Sequence, residues 1–130
     1  MAYNRKVMEH FSQPRNVGEM QDPDGVGKAG NTMDGDVVVI YIKVKDDVIA
    51  DIRFQAFGCA AAIASSSIFT ELAKGKKISE ALQINRQQVS NELEGLPPNK
   101  IECSIIAPDA FEKAVRDFLD KQGREFIRNE

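Results

Sequence analysis

Val37-Val38-Val39-Ile40-Tyr41-Ile42-Lys43-Val44-Lys45-Asp46-Asp47-Val48-Ile49-Ala50-Asp51-Ile52-Arg53-Phe54-Gln55-Ala56-Phe57 is the stretch that decides the fold. Val38, Ile40, Ile42 and Val44 alternate onto one face of a strand over Val37–Val44. Lys45-Asp46-Asp47 supplies the turn, and Val48–Phe57 reads as a second strand. Its Val48, Ala50, Ile52, Phe54 and Ala56 face a core, and Asp51, Arg53 and Gln55 face water. Two antiparallel strands are too small to stand alone, so helices must cover their apolar face.

Working outward, Phe57 leads through Gly58-Cys59 into Ala60–Ala73, a helix rich in small residues that Gly75 stops. Ser79–Leu82 reads as a short helix, and Asn85 with Gln88 forms a capping pair for Arg86–Glu94, which closes at Gly95. Ala107, Ala110, Phe111, Ala114, Val115, Phe118 and Leu119 recur at helical spacing, with Pro108 in the first turn. Upstream, Asn4 caps a short helix whose Val7, Met8 and Phe11 share a face, and His10 reads as a surface residue. Residues 14–35, with Pro14, Gly18, Pro23, Gly25, Gly27, Gly30 and Gly35, read as a long loop. The expected fold class is α+β: a small antiparallel sheet of about three strands with helices packed on one face.

The chain has 130 residues, 42% hydrophobic and 28% charged with net charge −3, which suits one soluble domain over 1–130. No basic surface suited to tracking phosphates is present, so nucleic acid is not expected as a partner. The apolar runs are too short to span a bilayer, and residues 1–20 lack a secretory signal. A cytoplasmic location is expected.

Cys59 and Cys103 stand 44 positions apart, and neither belongs to a CxxC pair. In a reducing compartment such thiols are buried packing residues, catalytic groups or metal ligands. Both lie just before a helix, where the dipole and unpaired amides favour a thiolate, the form that binds metal and attacks sulfur.

Phe57-Gly58-Cys59-Ala60-Ala61-Ala62-Ile63-Ala64-Ser65-Ser66-Ser67 and Leu96-Pro97-Pro98-Asn99-Lys100-Ile101-Glu102-Cys103-Ser104 resemble two signatures of one family. The family is that of the iron–sulfur cluster assembly scaffolds of the IscU/NifU N-terminal type. Met1-Ala2-Tyr3, His10-Phe11, Pro14-Arg15-Asn16-Val17-Gly18 and Gly35-Asp36 extend the similarity over about residues 1–120. The resemblance implies a platform, not an enzyme, that takes sulfur from a cysteine desulfurase plus iron, holds a transient [2Fe-2S] cluster and passes it to recipient apo-proteins. Cys59 matches the family's second cysteine, Cys103 its third and the usual sulfur acceptor, and Asp36 its aspartate. Asp34 stands in place of the first cysteine and Glu102 in place of a histidine. Carboxylates suit harder ions than thiolates do, so a labile cluster, or Zn or Fe in its place, is expected on Asp34, Cys59 and Cys103.

Asp36, Glu102 and Lys100 are further candidates, the last as a cation near Cys103. Leu96–Lys100 matches the segment that an Hsp70-type chaperone reads in the family, although Asn99 departs from its pattern. Simpler readings stand beside these: Asp34-Gly35 as a turn, Glu102 as a solvated carboxylate at a helix start, and Leu96-Pro97-Pro98 as a stiff linker. The rival functions are a sulfur relay or regulator of the desulfurase working through Cys103, a mononuclear Zn- or Fe-binding protein, and a small metal-dependent enzyme.

Overall fold

The computed structural model describes residues 4–31, 35–96 and 103–123. Helix α1 (Arg5–Ser12) is followed by strands β1 (Gly25–Asn31), β2 (Asp36–Lys45) and β3 (Val48–Phe57). Helices α2 (Ala60–Ala73), α3 (Ile78–Ala81), α4 (Arg86–Glu92) and α5 (Ile106–Lys121) complete the order. The sheet has the order β1-β2-β3, antiparallel throughout.

The hairpin forms as its alternation predicts. Val38, Ile40 and Ile42 are buried, and Asp46 and Asp47 both adopt positive φ (54° and 60°) in the tight turn. That mirror-image turn matches the strand twist, and aspartate tolerates it better than most residues. The inward face of β3 departs from simple alternation. Lys43 pairs with Asp51 but Val44 pairs with Ile49, so Ala50 is left over as a bulge. Ile49 is therefore buried, Ala50 is exposed and Val48 is half-buried, whereas alternation alone put Val48 and Ala50 inside.

Seven residues of the expected long loop are strand β1. Gly25, Gly27 and Ala29 are buried at a spacing of two, with no large side chain to signal a strand. They are small because α5 lies directly on them. A Cβ at Gly27 would stand 2.0 Å from the Ala110 carbonyl oxygen and 2.3 Å from the Ala114 nitrogen. Residues 16–18 then run along β3: the Gly18 amide donates to the Phe54 carbonyl, and the Phe54 amide donates to that of Asn16 (2.9 Å each). Those bonds cover an edge that would otherwise present unpaired groups.

The core lies between the sheet and the helices. Phe54 from β3, Phe69 from α2 and Phe111 from α5 are its largest members, and the Phe69 and Phe111 rings meet at 5.4 Å in a tilted pair. Asn4 caps α1 by accepting from the Val7 amide, as expected, and its side-chain amide donates to the Leu93 and Gly95 carbonyls at the end of α4. The inward face of α1 is Val7 with His10, while Met8 and Phe11 stay partly exposed (43% and 39%).

His10 is thus a buried residue and not a surface one. Its Nδ1 pairs with Ser67 Oγ at 2.7 Å, which also accepts the Arg15 amide. Asn16 donates to Thr70 Oγ1. The serine-rich stretch of α2 is therefore the polar seat for α1 and the chain after it. Among the described residues no helix is long and apolar enough to cross a membrane.

Two outcomes follow. Gly27→Ala should cost about 1–3 kcal/mol or more in urea unfolding, because the intruding Cβ meets backbone that no rotamer change can move. Burial, then Arg15, lowers the His10 pKa from its ordinary 6.5, against a weaker opposing pull from Glu71. The unfolded chain therefore takes up that proton first, and the stability His10 contributes is present above pH 6.5 and lost as pH falls towards its folded value. Unfolding free energy measured from pH 7.5 down to about 5.5 should fall, and His10→Gln should flatten that part of the profile.

Candidate functional site

Asp36 opens β2 and is in phase with Val38 and Ile40, so its side chain points to the helix-covered face and is buried. Val37 pairs with Phe57, which sets Asp36 beside the exit of β3. There Gly58 turns the chain at φ +148°, and Cys59 becomes the N-cap of α2. Cys103 stands in a single 3₁₀ turn leading into α5 and packs against Ala61 and Ala62, whose small side chains leave room for it.

The three side chains converge. Asp36 Oδ1 accepts the Cys59 backbone amide at 2.9 Å. Asp36 Oδ2 lies 3.4 Å from Cys103 Sγ and 3.7 Å from Cys59 Sγ, and the two sulfurs are 3.6 Å apart. Ligand atoms about 2.0–2.3 Å from a tetrahedral centre stand roughly 3.3–3.8 Å from one another. The observed separations have that size, so two thiols and a carboxylate supply three corners of a metal-sized tetrahedron. The donor set also fits chemically, since thiolate and carboxylate both bind Zn²⁺ and iron.

Electrostatics at Cys103 run against the expectation of a lowered thiol pKa at a helix start. Burial pushes this thiol well above its ordinary range, and Cys59 and then Asp36 push it further. Desolvation and two acidic neighbours outweigh the helix dipole. A cation among the three groups would reverse all of these penalties, because it would replace lost water and repulsion with attraction. Cys59 is half-buried, whereas Cys103 is 1% exposed, so Cys59 is the thiol that faces outward.

Of the candidates read from the sequence, Cys59, Cys103 and Asp36 are brought together. Asp34, Lys100 and Glu102 lie outside the described residues, as do Pro97, Pro98 and Asn99 of the Leu96–Lys100 segment. Leu96 itself is partly buried against the cluster that holds Cys103. Gly58 is a site residue that the sequence marks only as the end of a strand before Cys59. Asp36 is read from the family resemblance; its phase with Val38 and Ile40 is the physical signal that its side chain turns inward.

The sequence matches the family described as NifU-like N terminal domain over residues 2–125. The chain belongs to this family. The iron-sulfur cluster assembly scaffold protein IscU 1 of Archaeoglobus fulgidus is 56% identical over 122 residues, covering 94% of this chain and 80% of that protein. The scaffold protein IscU of Escherichia coli K12 is 47% identical over 126 residues, covering 94% and 98%. A crystal structure of the N-terminal part of a nitrogen-fixing NifU-like protein from Brucella abortus superposes with a TM-score of 0.77, covering 91% of this chain and 94% of that one. At 21% identity that likeness speaks for the fold alone. The α+β architecture of this NifU-like domain, an antiparallel three-stranded sheet with helices, is the one expected from its alternating stretch.

Exposure and protonation should separate the two thiols of the NifU-like domain. In metal-free protein at neutral pH, iodoacetamide should label Cys59 well before Cys103, since the thiolate is the reactive form. Prior Zn²⁺ should protect both. Peptide mass spectrometry on a time course checks this, with equal labelling rates as the contrary result.

Proposed function

We propose that this chain is a scaffold on which an iron–sulfur cluster is assembled and from which it is handed on. The observation that carries the reading is the meeting of Asp36, Cys59 and Cys103, from three separate elements, within 4.8 Å of one another. Family membership and 47–56% identity to proteins named as such scaffolds support it. The role is that of a carrier and not a catalyst.

In this reading the cargo is a transient [2Fe-2S] cluster built from iron and from sulfur delivered by a cysteine desulfurase. Cys103 accepts the sulfur, while Cys59 and Asp34 complete the ligand set, with Asp36 as an adjoining carboxylate. Glu102 and Lys100 precede Cys103 in sequence and adjust the local charge. The completed cargo passes to recipient apo-proteins, aided by an Hsp70-type chaperone at Leu96–Lys100. With two cysteines in the whole chain, at most two thiolates hold the cargo. A harder, weaker carboxylate ligand at position 34 makes such a cluster short-lived and acid-sensitive. The same shortage of thiolates favours a second reading, a sulfur relay or regulator that works through Cys103 without storing a cluster.

Anaerobic reconstitution with Fe²⁺, a cysteine desulfurase and excess cysteine, which supplies both the sulfur and the thiol electrons that complete its reduction to sulfide, tests both. Scaffold function gives iron uptake with visible charge-transfer absorption, a longer cluster lifetime in Asp34→Cys, and loss of sulfur acceptance and cluster in Cys103→Ser. No iron uptake together with a reductant-removable gain of one sulfur at Cys103 selects the relay. An unchanged lifetime and spectrum in Asp34→Cys leaves Asp34 as a turn residue.

A further inference from the structure

Gly58 lies between the last residue of β3 and the N-cap of α2. Its backbone sits at φ +148°, where a side chain is strained. The space beside it is already taken. A Cβ built at this position would stand 1.9 Å from Asp36 Oδ1, 2.7 Å from Asp36 Cγ and 3.0 Å from Asp36 Cα. Oδ1 is the atom that accepts the Cys59 amide at 2.9 Å, and Oδ2 on the same carboxylate is the oxygen near both sulfurs.

We propose that Gly58 is a positioning residue for the donor set: the missing side chain is the slot in which the Asp36 carboxylate rests between the Cys59 amide and the two thiols. This rests on reading Asp36, Cys59 and Cys103 as one donor set. The carboxylate is the far end of a side chain with two torsions, so the least costly response to a methyl group at position 58 is rotation of that end. The contact with Asp36 Cα at 3.0 Å asks only for a small backbone adjustment. Rotation would break the bond to the Cys59 amide and withdraw Oδ2 from both sulfurs in one movement. A glycine needed merely for its φ would act differently, because its replacement would strain the chain whether or not residue 36 carried a carboxylate.

Gly58→Ala, Asp36→Ala and the double variant, all in the full chain, separate the two roles. Anaerobic titration with Co²⁺ alone, read by thiolate-to-cobalt charge-transfer absorption, should show Gly58→Ala weakening affinity about 10- to 100-fold, as loss of a positioning contact does. Asp36→Ala should match it. Adding Gly58→Ala to Asp36→Ala should weaken binding by less than about threefold more, since the displaced group is already gone. Equal losses in both backgrounds, or parental affinity in Gly58→Ala, overturn the proposal.

A second measurement needs no metal. In metal-free protein the Cys59 amide should lose its protection from hydrogen exchange in Gly58→Ala to the extent seen in Asp36→Ala, and retained protection overturns the proposal. Should Gly58→Ala fail to fold, a double variant that folds like Asp36→Ala supports the slot, and one that also fails assigns Gly58 to the backbone alone. A parent that takes up no Co²⁺ removes the scaffold reading, while the exchange result still decides the role of Gly58.

Discussion

One hydrogen bond joins the sheet to the helices at the candidate site: the Asp36 carboxylate accepts the Cys59 amide at the mouth of α2. It exists because the strand period sends Asp36 to the same side as Val38, Ile40 and Ile42. A carboxylate on that side must find donors, since a buried charge without them is costly. The first amide at the end of β3 and the positive end of α2 provide them. The side-chain oxygen left over then faces the thiols from α2 and from the turn before α5.

The same convergence crowds like charges together. Two thiols and a carboxylate are three groups that each carry negative charge when ionised, and little water reaches Cys103 to spread that charge. Keeping the Cys103 thiol protonated relieves that crowding. Affinity for a soft cation and reluctance to ionise alone are thus two sides of one arrangement.

How much of this was legible in the sequence depends on what each residue reports. Hydrophobic alternation in β2 and helical spacing in α5 are strong signals because large apolar side chains mark the buried face. Strand β1 was hidden because its buried face is Gly25, Gly27 and Ala29: close approach to α5 requires small residues, and small residues look like a loop. The bulge at Ala50 depends on cross-strand pairing that no local pattern encodes. His10 looked exposed because its partner Ser67 is 57 residues away. At the site, the cysteines and Asp36 were legible as a family pattern, yet their mutual distances come from three element ends that only the folded sheet aligns.

Those element ends set the site apart from the packing that holds the fold. Asp36 begins a strand, Cys59 begins a helix, Cys103 precedes another, and Asp34 lies in sequence between β1 and β2. The main core is filled by Phe54, Phe69, Phe111 and the aliphatic residues around them, while Cys103 packs in a separate small cluster with Ala61 and Ala62. A change of donor at Cys59 or Cys103 leaves the contacts of the main core in place, whereas a change at Asp36 also removes the bond to the Cys59 amide. The grip of the site and the architecture that carries it therefore rest on largely different residues.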